Sequence, residues 1–63
     1  MRLIAKSPHC AGKDCPAVYE TEAGSLLIQG TVVPANDPIT LGEGEALVEL
    51  PADLVVQLKQ ALG

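Results

Sequence analysis

The hydrophobic positions of this chain recur in two rhythms, which divide it into a strand-forming part and one terminal helix. From Ala17 to Val33 the period is two. Ala17, Tyr19 and Thr21 share one face, and Val18 and Glu20 share the other. Beyond them Leu26, Ile28 and Val32 alternate with Leu27, Gln29, Thr31 and Val33. β-Branched and aromatic residues at that spacing predict strands rather than helix. The turn Glu22–Ala23–Gly24–Ser25 separates the two runs, and Gly24 supplies the positive φ that a three- to five-residue hairpin loop requires. Ala17–Thr21 and Ser25–Val33 are therefore expected to form a central β-hairpin. Gly30 interrupts the second strand and predicts a bulge or bend.

The flanking segments follow from the same reading. Met1–Lys6 alternates loosely and predicts a short first strand, with Leu3 and Ile4 on opposite faces. Ser7–Pro16 holds two prolines and a glycine without periodicity and reads as a loop. Pro34 ends the second hairpin strand, and Pro34–Pro38 is a turn cluster. Ile39–Leu41 is expected to be a short bridge and Gly42–Glu43–Gly44 another turn. In Glu45–Leu50 the residues Ala46, Val48 and Leu50 point inward, Glu45 and Glu49 outward, and Leu47 is the apolar exception on the outer face. From Pro51 the rhythm changes: Leu54, Val55, Leu58 and Leu62 form one helical stripe, while Gln57, Lys59 and Gln60 face water. Pro51 suits the first turn, where its missing N–H costs nothing. Asp53 sits at the positive end of the helix dipole. About 11 residues of helix are marginal alone, so this one must dock on a sheet. The expected fold is a single small α+β domain over residues 1–63. It is a twisted, mostly antiparallel sheet of three to four strands with a central hairpin and a C-terminal helix on one face. The other face would expose Leu27, Leu47 and Val33, a half-apolar surface suited to a partner.

Composition makes that partner more important. Apolar residues are 48% of the 63, but eight of them are alanines and there is no Phe or Trp. A chain this short buries only about 60% of its unfolded surface and needs a staple, a metal or a second chain. The net charge of −4 argues against a nucleic-acid partner, because neutralising a phosphate backbone needs a basic face, and none is expected. Three of the four positive residues, Arg2, Lys6 and Lys13, lie in the first thirteen positions, where there is no acid. Only Leu3–Ile4–Ala5 separates Arg2 from Lys6, too short for a signal peptide. No run reaches membrane-spanning length. A cytoplasmic, non-membrane protein is expected, in a compartment where thiols are usually reduced.

One cluster has chemical potential: His9, Cys10, Asp14 and Cys15, spaced H-C-x₃-D-C. Three readings remain open. Zinc takes thiolate and imidazole ligands, and Cys10, Cys15 and His9 with Asp14 could supply them. C-x₄-C is at the loose edge of knuckle spacing, however, and only one half-site is present. A Cys10–Cys15 disulfide would close a short loop worth about 2 kcal/mol. The spacing is not that of a thioredoxin-like C-x-x-C, and no helix follows Cys15 to lower its pKa. In the third reading the two thiols simply flank a loop, with Cys15 buried as a small apolar side chain.

No other chemistry survives inspection. Ser7 and Ser25 have no base in a plausible relation. The acid in Gly42–Glu43–Gly44 would repel a phosphate, and a strand follows it. Glu43, Glu45 and Glu49 read as a solvated edge, and Tyr19 as a core or interface anchor. No catalytic set or resident cofactor is expected.

The run Cys15–Pro16–Ala17–Val18–Tyr19, followed by Thr21, Gly24 and Ile28–Gln29–Gly30, resembles a set of small actinobacterial proteins. Their pattern is C-P-x-[VI]-Y…T-x-x-G…[VI]-Q-G. Glu45–Leu50 leading into Pro51–Ala52 and Leu54 is similar too, so the likeness spans about three quarters of the chain. Members are often encoded beside helix-turn-helix regulators. The resemblance implies an accessory or regulatory protein that works through contacts with a protein, and it implies no catalytic residues. The expected function is thus a non-enzymatic protein–protein interaction module, its partner a helix-turn-helix regulator or a second copy. The alternative is a zinc-binding or redox-responsive module on Cys10 and Cys15.

Overall fold

A computed structural model describes residues 1–12, 14–36 and 38–63. The charge read at Lys13 and the part of the Pro34–Pro38 turn at Asp37 lie outside them. The elements, in order, are β1 (Arg2–Lys6), β2 (Ala17–Glu20), β3 (Leu26–Gln29), β4 (Thr31–Val33), β5 (Leu47–Glu49) and the helix α1 (Ala52–Leu62). This is the small antiparallel α+β fold expected from the pattern, with its strands divided between two sheets. β1, β2 and β3 form a three-stranded sheet in that order, and β4 pairs with β5 in a separate two-stranded ladder.

The central hairpin closes as a three-residue loop. The Thr21 N–H donates to the Ser25 carbonyl (2.9 Å) and the Gly24 N–H to the Thr21 carbonyl (3.0 Å), with Gly24 at φ +87°. A type I turn followed by a left-handed glycine is the regular solution for this loop length. The Thr21 and Ser25 hydroxyls add a 2.7 Å bond across it.

Gly30 is where the chain leaves one sheet for the other, so Ser25–Val33 is two strands rather than one. A Cβ built at Gly30 would lie 2.6 Å from Val48 Cγ1 and 2.7 Å from the Glu49 carbonyl oxygen. Only glycine lets β5 approach this closely. The last strand is also shorter than Glu45–Leu50. Glu45 belongs to the preceding turn, where its carboxylate accepts the Gly42 N–H (2.6 Å), and pairing begins at Leu47. Within β5 Leu47, expected on the outer face, is half-buried, and Val48, expected inward, is 38% exposed, while Glu49 is exposed as expected. Ile39–Leu41 forms no bridge; the Ile39 N–H instead closes a turn onto the Asn36 carbonyl (2.8 Å).

The core is small. Leu54 of α1 is fully buried against Val18 and Ala5, with Ile4, Leu50 and Leu58 packed around them. Ala5 and Val18 are direct cross-strand partners. A bulge between Leu3 and Ala5 shifts the register of β1, which lets the adjacent Ile4 and Ala5 both reach the core, as strict alternation would not. Ile4 thus packs on the core, while Leu3, on the opposite face as expected, is 51% exposed. Pro51 takes the N-cap position, and α1 begins at Ala52. Of the predicted stripe, Leu54 is buried and Val55 and Leu58 are half-buried, whereas Leu62 is exposed; Gln57, expected to face water, is half-buried.

Candidate functional site

Two regions stand out, and the first is the loop Ser7–Pro16. Its neck extends the β1–β2 ladder by one bond, from the Ser7 N–H to the Pro16 carbonyl (3.1 Å). Inside the neck Cys10 and Cys15 are joined by a disulfide, with Cα atoms 5.7 Å apart. Cys15 is buried where the chain enters β2, and Cys10 is half-buried. Ser7 is buried as well. Its hydroxyl reaches both carboxylate oxygens of Asp53, at 3.0 and 2.9 Å, and thus ties the loop to the first turn of α1. One Asp53 oxygen also accepts the Leu54 N–H (2.8 Å). The charge that complements the helix dipole is therefore also the anchor of the loop. This contact escaped the sequence reading because it joins residues 46 positions apart.

Of the metal-site candidates, the structure joins Cys10 to Cys15 and leaves His9 and Asp14 exposed. Among the described residues no group of three or more His, Cys, Asp and Glu side chains converges as a metal site would require. Two sulfurs bonded to each other offer no thiolate to a metal.

The second region is β3, the edge of the three-stranded sheet. Leu26, Leu27 and Ile28 are 41%, 49% and 47% exposed, although they are consecutive apolar residues in a strand. Alternation puts Leu26 and Ile28 on the face that bears the helix and Leu27 on the other. A helix about 10 Å across spans two strands set about 4.8 Å apart, and here it lies over β1 and β2. β3 is left uncovered on both faces.

The expected partner surface is therefore divided. Leu27 lies on β3, whereas Val33 and Leu47 are cross-strand partners on the other sheet and are half-buried. The sequence reading missed Leu26 and Ile28 as surface residues. Their signal was present: LLIQ is apolar on both faces, while a single helix can cover only one. Tyr19 is half-buried beside β3, its hydroxyl 3.3 Å from Gln29 Oε1.

No protein-family model matches this chain, and no curated protein or solved structure is detectably similar to it.

An open cleft of about 720 Å³ lies where α1 follows β5, between Leu50, Pro51, Val55 and Val56 on one hand and Pro16 and Thr31 on the other. Glu49 and Lys59 also line it. None of these residues is a buried polar group, so the cleft offers apolar contact rather than a reactive side chain. Among the described helices none is long and apolar enough to cross a membrane.

Proposed function

We propose that this protein is a non-enzymatic interaction module that engages a protein partner through the β3 edge. The observation that carries this reading is the exposure of three consecutive apolar side chains on an edge strand whose outer backbone groups have no partner among the described residues. Such a strand templates the addition of another. The helix-turn-helix regulator implied by the resemblance to actinobacterial proteins would be met at this edge, in a cytoplasmic setting. The test compares immobilised wild-type protein with Leu27→Asp and Leu47→Asp in extract of the native cell. Leu27→Asp is expected to lose the retained proteins, copies of the chain itself included, and Leu47→Asp to keep them. An identical retained set on all three would remove β3 from consideration.

A second reading rests on the disulfide. Disulfides persist in oxidising compartments, and in the cytosol they are mostly transient and redox-responsive. Under this reading Cys10–Cys15 opens and closes with the redox state, and only the reduced loop has thiolates and His9 to offer zinc. Protein isolated under thiol-trapping conditions reports it. A fully oxidised chain under every growth condition would make the bond a permanent staple.

A further inference from the structure

The two edges of the three-stranded sheet are built differently. β1 carries Arg2, Lys6 and a bulge, the devices that stop an edge from pairing with another chain. β3 reads Leu26–Leu27–Ile28–Gln29, with no charge, no proline and a regular register against β2. One edge is protected and the other is open.

The hairpin fixes what the open edge presents. Thr21 and Ser25 form its hydrogen-bonded closing pair. Antiparallel alternation then turns the N–H and C=O groups of Leu27 and Gln29 toward β2, and those of Leu26 and Ile28 outward. A second copy related by a two-fold axis perpendicular to the sheet must pair residues of the same face, so the axis passes through a residue and not between two. With the axis at Leu27, Leu26 pairs with Ile28 of the second copy and Ile28 with its Leu26. All four outward N–H groups find carbonyls, and Leu27 meets Leu27 on the opposite face. Ser25 and Gln29 close the apolar segment at each end. With the axis at Ile28 the pairs become Leu27 with Gln29 and Leu26 with Gly30, which bury less. The edge is self-complementary in one register.

Building on the edge reading above, we infer that β3 pairs antiparallel with β3 of a second copy, centred on Leu27, to give a six-stranded sheet across a homodimer. A second chain also supplies what a core whose largest fully buried side chains are Leu54 and Val18 lacks. Pairing along a single four-residue strand is a small contact beside the ~800 Å² per partner of standard complexes, so the dimer forms reversibly with concentration.

Sedimentation of the oxidised protein from ~10 to ~500 µM is expected to show a monomer–dimer equilibrium, the range matching a weak complex. Leu27→Lys, which sets two cations face to face at the axis, should shift it at least tenfold toward monomer while circular dichroism stays unchanged. Register is read by cross-linking. Directly opposed non-hydrogen-bonded residues have Cα atoms about 4.5 Å apart, within disulfide span. Leu27→Cys should give a covalent dimer under mild oxidation. Ile28→Cys should not, because the two substituted positions lie two residues apart along the strands. A wild-type monomer throughout the range would overturn the dimer, as would efficient cross-linking at Ile28 but not Leu27 for this register. The edge reading itself is judged separately, by whether Leu27→Asp loses other retained proteins.

Discussion

A methyl group at Gly30 would collide with Val48 Cγ1 and the Glu49 carbonyl oxygen, and the latter is backbone that cannot swing aside. Gly30→Ala is therefore expected to cost about 1–3 kcal/mol, as overpacking does, by prying β4 from β5. Gly24 is the opposite case. Space around it is open, but φ is +87°, so Gly24→Ala should cost about 1–2 kcal/mol through backbone strain alone. Urea titrations of both variants check these values, and only Gly30→Ala should disturb amide shifts on β5. Ser7 makes a third case. Removing its hydroxyl takes a hydrogen bond from the half-buried Asp53 carboxylate, and Ser7→Ala should lower stability by about 1.5–3 kcal/mol, the range for bonds to charged groups. An unchanged denaturation midpoint would mean that the loop is not anchored to α1 in solution. By contrast the exposed Arg2–Glu20 ion pair (2.6 Å) lies across β1–β2 in solvent, and its removal should cost at most about 1 kcal/mol.

At the scale of elements, the disulfide, the bulge and the helix serve one junction. The end of β1, the start of β2 and the first turn of α1 meet where Ala5, Ser7, Cys15, Ala17, Val18 and Leu54 are buried. Cys10–Cys15 closes a short loop beside this junction and is worth about 2 kcal/mol in the chain-entropy account. The Cys10→Ser/Cys15→Ser double variant should lose that much in denaturant titration while its far-ultraviolet spectrum stays native. Untreated protein should gain 2 Da on reduction, one hydrogen atom (a proton and an electron) for each sulfur of a single bond. Much of this architecture was legible in the sequence. Period two marked the hairpin, Gly24 its loop, and the Pro51–Leu62 pattern the helix to within a residue. What was not legible depended on distance in space. Gly30 announced a bend, but that Val48 and Glu49 fill the space beside it is knowledge of the partner strand. Alternation assigned Val48 inward, yet it is 38% exposed, and alternation alone could not show that a bulge brings Ala5 into the core beside Ile4. The cysteine spacing allowed a bond, a metal or neither, and the structure joins the two sulfurs.

At the scale of the whole molecule, what is buried and what is exposed argue for the same partner. Few side chains of any size are fully enclosed, while Leu26, Leu27 and Ile28 lie open at one edge. Closing that edge with a second copy links folding to association, and the link has a thermodynamic sign. When the folded species is a dimer and the unfolded one a monomer, raising the protein concentration favours the folded state. Each tenfold increase adds about 1.4 kcal/mol per dimer, or about 0.7 per protomer. A domain of this size shifts its midpoint by about 4–8 °C per kcal/mol, so a hundredfold increase in the dimeric range should raise the melting temperature by about 5–10 °C. Leu27→Lys should melt at one temperature across the same range, near that of dilute wild-type protein, because its substitution lies on the surface of the monomer. Calorimetry on the two proteins over matched concentrations separates the possibilities. A wild-type midpoint independent of concentration would mean that the few buried contacts around Leu54 and Val18 are sufficient, with the disulfide, to hold this fold as a single chain.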